Sequence, residues 1–152
     1  MNKKLIAAAL LACLAPGAPA VTRAQSADGP EAVARDFYEW YTGRLDSEDF
    51  SPLKRRREAL RYLTPEFHRR APRIIADEMV DIFICAQDWQ PGWGDDIKFS
   101  AGPVRGSRAQ VTATFNYGPE NQASVRLTLR RAAGRWRIDG ADCLGPSGDP
   151  AP

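Results

Sequence analysis

The side chains best suited to binding chemistry lie in one short segment in the second half of the chain. It reads Gln87-Asp88-Trp89, followed by Pro91-Gly92-Trp93-Gly94. Indole rings offer a large contact area, and neighbouring amide and carboxylate groups fix the orientation of a ligand. This pattern predicts a loop that binds a sugar, a peptide or an aromatic ligand through Gln87, Asp88, Trp89 and Trp93. In a competing structural interpretation, Trp89 covers the open end of the core and the Pro-Gly pair turns the chain.

Residues of the common catalytic types are scarce. His68 is the only histidine, and we expect it on a helix surface. No Ser-His-Asp or Cys-His arrangement can be assembled around it, and hydrolytic metal chemistry lacks imidazole ligands. The acidic residues Asp88, Asp95 and Asp96 match no twelve-residue calcium loop. The sequence therefore favours a protein with no catalytic residue, no metal and no cofactor.

The chain has three cysteines, Cys13, Cys85 and Cys143. Cys13 lies in the N-terminal leader described next, so Cys85 and Cys143 remain as a pair. An even pair in an oxidising compartment predicts a disulfide bond. Closing a loop of about 58 residues stabilises a fold by about 4 kcal/mol if the effect is one of loop entropy. Without a CxxC motif or clustered histidines, a redox or metal role is disfavoured.

Residues 1–20 have the layout of a secretory signal peptide. A positive start, Asn2-Lys3-Lys4, precedes an apolar run from Leu5 to Ala15 that is too short to span a bilayer. The small-residue site Ala18-Pro19-Ala20 follows. Cleavage after Ala20, or after Ala24, would release the protein into the periplasm of a Gram-negative bacterium.

A second interpretation of the leader is a bacterial lipobox, Leu10-Leu11-Ala12-Cys13. Cys13 would then carry lipid, become the new N-terminus and make the protein a membrane-anchored lipoprotein. The lipobox leaves only eight apolar residues before the cysteine, which is short for a signal segment. Ordinary secretion is therefore the favoured expectation, with the lipid anchor as its alternative.

The formal charge of the chain excludes one class of partner. The value of +2 includes Lys3 and Lys4, so a chain cut after Ala20 is neutral. General nucleic-acid binding needs a basic footprint, and we expect none. No second apolar segment approaches membrane length, so we expect no transmembrane segment in the mature domain. About 130 residues remain, which is enough for one domain with one core.

Charge is nevertheless unevenly spread along the chain. Residues 51–76 carry a net charge of +6, whereas residues 77–96 carry a net charge of −6. Such a distribution predicts either a dipolar surface that docks a charged partner or two solvated faces.

The candidate loop lies between a helical first half and a strand-rich second half. We expect a flexible lead-in over residues 21–29, one domain over residues 30–144 and a disordered tail over residues 145–152. Asp28 is the expected cap of a first helix that ends near Gly43 and has one apolar stripe, comprising Val33, Phe37, Trp40 and Tyr41.

Two further helices are expected before the strands begin. The first starts at Ser51-Pro52 and buries Leu53, Leu60 and Leu63. The second is capped by Thr64, and its apolar residues are Phe67, Ala71, Ile74, Ile75 and Met79. Pro72 lies inside this pattern and is expected to kink or split the helix.

The second half alternates with the period of a β-strand. One predicted strand places Val111, Ala113, Phe115 and Tyr117 on one face. Similar runs contain Val125, Leu127 and Leu129, then Trp136 and Ile138, and a further strand covers Ile97 to Ala101. Short turns between these runs predict an antiparallel sheet with helices packed on one face, an α+β fold. The polar face of this sheet carries Thr112, Thr114, Asn116, Arg126, Arg130 and Arg137. We expect this face either to be a dimer or partner surface or to be solvated.

Three segments carry a resemblance to a known family: the helix Ala34–Tyr41, the central run Asp81–Trp89 and the closing run Gly134–Asp139. They resemble a bacterial family of exported domains of unknown function within the nuclear-transport-factor-2-like superfamily. The resemblance covers about residues 30–144 and implies a cone, in which a curved antiparallel sheet wraps over helices. Enzymes of that shape use an Asp or His in the pocket as general base, so it implies Asp88 or Asp81 for that role.

Two functions follow as hypotheses. The first is a non-enzymatic exported module that binds a small ligand or an envelope protein, one version being an inhibitor or immunity-type protein that blocks a wall-directed enzyme. The alternative is a small pocket enzyme of isomerase or dehydratase type, with Asp88 as the base in a closed pocket.

Overall fold

A computed structural model describes residues 29–118, 121–145 and 148–149. The expected signal peptide, both cleavage sites, Cys13 and Asp28 lie outside the described residues, as does most of the expected tail. Four strands form one antiparallel sheet in the order of the sequence: β1 (Lys98–Ala101), β2 (Arg108–Asn116), β3 (Gln122–Ala132) and β4 (Arg135–Leu144). The sheet is curved and unclosed, and helices pack against one face, which confirms the predicted α+β class.

The alternation of the sequence determines which face of the sheet is buried. Every second residue of β2, β3 and β4 points into the core, as predicted: Val111, Ala113, Phe115, Val125, Leu127, Leu129, Trp136 and Ile138. Ala133 and Gly134 connect β3 to β4 with φ angles of +49° and +78°. Two successive positive φ angles are typical of the tight hairpin turn whose twist matches that of the strands.

Helix α1 spans Pro30–Asp46 and so ends three residues after Gly43, near the predicted end. Gly43 has a low intrinsic helix propensity, but it does not end the helix. Nothing lies within 4 Å of the position that a Cβ atom would take there. The buried stripe is rotated from the predicted one; Val33 and Trp40 lie at its edges, and the enclosed residues are Ala34, Phe37, Tyr38, Tyr41, Thr42 and Leu45. Gly29 precedes the helix without a side-chain cap.

The prediction of a single helix that starts at Ser51-Pro52 is wrong. A 3₁₀ turn, Pro52–Lys54, and the four-residue helix α2, Arg56–Ala59, replace it. The chain then becomes extended and pairs with the free edge of β4: Ile138 donates its N–H to the Tyr62 carbonyl at 2.8 Å, and Thr64 donates to the Ile138 carbonyl at 2.9 Å. These bonds cover part of an edge that would otherwise leave backbone groups unpaired.

Helix α3 spans Pro65–Glu78 and begins as predicted, because the Thr64 hydroxyl accepts the Phe67 N–H at 3.2 Å. Pro72 is exposed and does not split the helix. Met79 follows the last helical residue with a φ of +57° and is 74% exposed, so it does not continue the apolar pattern of the helix as predicted. Within the described ranges, no helix is long and apolar enough to cross a membrane.

Candidate functional site

An open groove of about 550 Å³ lies at one end of the helical layer, and no strand residue lines it. Its walls come from the end of α1, the end of α3 and the segment between α3 and β1. The lining residues are Leu45, Phe50, Ile75, Met79, Val80, Asp81, Ile84, Gln87, Asp88 and Trp89. The structure therefore brings three of the four predicted binding residues, Gln87, Asp88 and Trp89, into one concave surface.

Two apolar residues that the sequence analysis did not single out as site residues also line this groove. Phe50 is 67% exposed and Met79 is 74% exposed. Neither can be recognised from the sequence: Met79 follows the last residue of α3 and fits its apolar spacing, and Phe50 lies in the loop after α1, where no periodicity shows whether a side chain faces the core or solvent. Large exposed apolar side chains that cluster in one place mark binding surfaces more often than scattered ones do.

The floor of the groove depends on the carboxylate of Asp81. One oxygen, Oδ1, accepts the Phe83 N–H at 2.9 Å, and the other, Oδ2, accepts the Tyr41 hydroxyl at 2.6 Å. The Asp81 N–H also donates to the Ala86 carbonyl at 3.0 Å, which closes the segment into a tight loop. Asp81 therefore holds the loop in place from inside.

Three other contacts fasten the same loop to the core. Tyr38 donates its hydroxyl to the Phe83 carbonyl at 2.8 Å, and Tyr117 donates its hydroxyl to the Ile84 carbonyl. Cys85 and Cys143 form the predicted disulfide, with their Cα atoms 5.6 Å apart. The bond joins the loop to β4, so the groove has a fixed floor.

The two carboxylates that the resemblance proposed as a general base lie in different environments. Burial raises the pKa of Asp81, although its bonds to Tyr41 and to the Phe83 N–H oppose the shift. Both of its oxygens are occupied by those donors, so Asp81 is placed to support the loop. Asp88 is exposed on the open groove, which does not meet the requirement of a closed pocket for that base.

The two tryptophans of the predicted loop have different partners. Trp89 lines the groove and donates its indole N–H to Oδ1 of Asp46 at 2.8 Å. Trp93 lies outside the lining: its ring centroid is 4.2 Å from that of Tyr117 and 5.9 Å from that of Trp89, which it meets edge to face. Trp93 therefore supports Trp89 from behind, and the predicted set of four divides into a lining trio and one packing residue.

His68 does not lie free on a helix surface, as had been expected. It is partly buried, and its Nε2 lies 2.9 Å from the Leu53 carbonyl, so the ring donates a hydrogen bond that ties α3 to the 3₁₀ turn. In the described part of the chain, no group of three His, Cys, Asp or Glu side chains lies close enough to hold a metal ion.

Comparison with known proteins finds similarity only at the level of solved structures. No family model matches the chain, and neither does any curated protein. The immunity protein Tai3, in the type VI native effector-immunity complex Tae3-Tai3 from Ralstonia pickettii, superimposes with a TM-score of 0.67 at 27% sequence identity. The match covers 78% of this chain and 98% of that chain. This chain therefore shares its fold with that protein.

A second structural neighbour, a protein of unknown function from Bacteroides thetaiotaomicron, has a TM-score of 0.57 at 20% identity and shares the fold alone. It covers 74% of this chain and 87% of its own. Membership of the nuclear-transport-factor-2-like superfamily is tested by neither match and stays a prediction.

Proposed function

We propose that this protein is an exported immunity protein, which binds a type VI effector protein and blocks its action on the cell wall. The observation that carries the proposal is the structural similarity to Tai3 over 98% of that chain, at 27% sequence identity. Tai3 occurs in a complex with the effector Tae3. By analogy, the partner of this chain is a protein and not a small substrate.

The shape of the candidate site supports a protein partner. A substrate pocket encloses most of its ligand, whereas this groove is open and exposes Phe50 and Met79 to solvent. Apolar side chains of this kind act as anchors in protein interfaces once a partner covers them. The alternative of a pocket enzyme with Asp88 as base is not supported, because Asp88 is exposed.

The acidic segment indicates the charge of the partner surface that docks at the groove. Residues 77–96 have a net charge of −6, and Asp88 lies in the groove lining. Complementary potentials speed association and orient the encounter. We therefore expect the effector to present basic residues around an apolar contact.

The proposed location is the periplasm. The disulfide between Cys85 and Cys143 supports an oxidising compartment, as does the expected signal peptide over residues 1–20. The mass of the mature N-terminus decides between release after Ala20 or Ala24 and a lipid anchor at Cys13. A lipidated Cys13 would replace free secretion with membrane attachment and leave the proposed partner unchanged.

The test uses the type VI effectors of the protein's own bacterium, each purified and titrated by calorimetry. The groove variant Phe50→Ser/Met79→Ser should bind its effector at least about tenfold more weakly, since each anchor contributes about 1 kcal/mol or more. Val104→Ser is the matched control, because Val104 is 44% exposed and lies outside the groove lining. Binding of no effector would overturn the proposed function, and equal loss in both variants would overturn the assignment of the groove.

A further inference from the structure

Three arginines lie side by side on the polar face of the sheet, on the side opposite the helices. Arg108 of β2 is paired in register with Arg130 of β3, and Arg130 is paired in register with Arg137 of β4. Residues directly opposite each other on neighbouring strands point to the same face. The three guanidinium groups therefore form one row across three strands, which we call the arginine row.

Among the described residues, Asp139 is the one carboxylate that forms an ion pair with the row. Asp139 lies 3.3 Å from Arg130 through Oδ2, and the same carboxylate also accepts the Thr64 hydroxyl at 2.6 Å through Oδ1. Among the described residues, no carboxylate lies within ion-pair distance of Arg108 or Arg137. The Nε of Arg137 is enclosed by protein and has no acceptor in that part of the chain.

Like charges directly opposite each other on a sheet destabilise it, so the row has no benefit for the isolated fold. The enclosed Nε of Arg137 adds to this effect, because its charge is incompletely solvated. An anion bound across the row would relieve both. A site that needs an external negative charge is the simplest physical account of this arrangement.

The geometry points to phosphate groups, and to several of them. Guanidinium groups bind phosphate through two parallel N–H bonds, which a single Lys does not reproduce. Neighbouring strands are about 5 Å apart, so the row extends over roughly 10 Å. A surface of closely spaced phosphates can engage all three residues at once, with a phosphate for each guanidinium group.

The composition of the polar face separates a lipid surface from a protein partner. Apart from Leu144 at the end of β4, the strands present no aromatic or large aliphatic side chain on this face. Protein interfaces have a core with such anchors, and the groove has them, but this face does not. Its remaining positions combine Ser, Thr, Asn and Gln with the charged residues Arg126, Asp139 and Asp142, and a polar set of this kind suits a hydrated contact.

We propose that the arginine row holds the protein against the phosphate layer of an anionic lipid membrane. The bound orientation leaves the groove, which no strand residue lines, free for another partner. This proposal does not depend on the immunity function. Basic residues near an anionic leaflet each add to the attraction, which falls off within a Debye length and is weakened by salt.

The test measures co-sedimentation of the disulfide-bonded protein without its signal peptide with phosphatidylcholine vesicles, with and without phosphatidylglycerol. Only the anionic vesicles should bind it, and salt should release it. Arg108→Gln/Arg137→Gln should reduce the partition constant by about tenfold or more, since each basic residue contributes about fivefold. This double variant keeps the ion pair between Arg130 and Asp139 intact.

The matched control is Arg56→Gln/Arg57→Gln, which removes two exposed charges on the helical side. An equal loss in both variants would show attraction by overall charge and overturn the proposal. Equal binding to both vesicle types, or tighter binding to a DNA duplex than to anionic vesicles, would also overturn it. Unfolding by urea checks that each variant is folded, and effector binding through the groove should be unchanged in both.

Discussion

The hydroxyl of Tyr41 donates a hydrogen bond of 2.6 Å to Oδ2 of Asp81, joining the buried face of α1 to the loop that forms the floor of the groove. Burial raises the pKa of both groups. The Asp81 carboxylate raises the pKa of Tyr41 further, whereas the hydrogen bond from Tyr41 opposes the rise in the pKa of Asp81. The loop position therefore depends on the protonation and hydrogen bonding of one enclosed pair. This relationship makes the groove sensitive to pH.

The first prediction concerns that pH dependence. The pKa of Asp81 is higher in the folded protein than in the unfolded chain, so protonation of Asp81 favours the folded state. This contribution to stability is complete below about pH 4, near the pKa of an unfolded Asp. This contribution is lost as the pH rises through the folded pKa. Asp81→Asn keeps an acceptor for the Phe83 N–H without titrating, so wild type should lose stability relative to the variant as the pH rises from about 4 to 7. Urea unfolding across this range measures the difference, and a constant difference would contradict the mechanism.

The second prediction concerns the disulfide. Cys85→Ser/Cys143→Ser should lower the free energy of unfolding by up to about 4 kcal/mol, because the bond closes a long loop in the unfolded chain. We expect the melting temperature to fall by roughly 10 °C. Wild type treated with a reductant is the matched control and should melt like the variant. A melting temperature unaffected by reduction would show that the bond does not constrain the fold.

The third prediction separates the two tryptophans. Trp89→Ala should weaken effector binding by about tenfold, because the indole lines the groove, and should lower stability by about 1–2 kcal/mol, because its half-buried ring also packs against the core. Trp93→Ala should lower stability by about 1–2 kcal/mol, since its half-buried ring packs against Tyr117, and should weaken binding less, because Trp93 lies outside the lining. Calorimetric titration and thermal unfolding of both variants provide the comparison. If Trp93→Ala weakened effector binding more than Trp89→Ala did, Trp93 would be the binding residue and Trp89 the packing residue.

The fourth prediction uses two glycines with opposite surroundings. A Cβ atom added at Gly94 would lie 2.8 Å from Cβ and Oγ1 of Thr42, so Gly94→Ala should displace the loop from α1 and destabilise by about 1–3 kcal/mol. Gly43 has nothing within 4 Å, and Gly43→Ala should stabilise α1 by about 1 kcal/mol. Chemical unfolding of both variants checks the signs, and stabilisation by Gly94→Ala would mean that the loop is free to move.

The parts of the fold that were predicted correctly are those set by local periodicity. Alternation from Val111 to Phe115 and from Val125 to Leu129 identified the buried face of the sheet, because a one-residue shift would have exposed every apolar side chain. Thr64 was recognised as a helix cap because its short hydroxyl side chain can reach the first turn. The disulfide followed from pairing the two cysteines outside the leader.

The errors arose where distant parts of the chain decide the outcome. Pairing with the edge of β4 draws residues 62–64 into an extended conformation, which ends the helix that a local pattern had favoured. Met79 was included in the apolar pattern of α3 because its spacing fits, yet it follows the last helical residue with a positive φ and is exposed. Asp81 gave no local signal of its support role, because its partner Tyr41 is forty residues away.

The order of the two cysteines along the chain has a consequence for biogenesis. Cys85 precedes all four strands, whereas Cys143 lies in the last of them, so the bond cannot form until β4 has been synthesised. The disulfide bond that fixes the groove floor therefore forms only after the last strand has been synthesised. A cell that does not oxidise these two thiols would make the whole polypeptide and still leave the groove floor without its covalent link to β4.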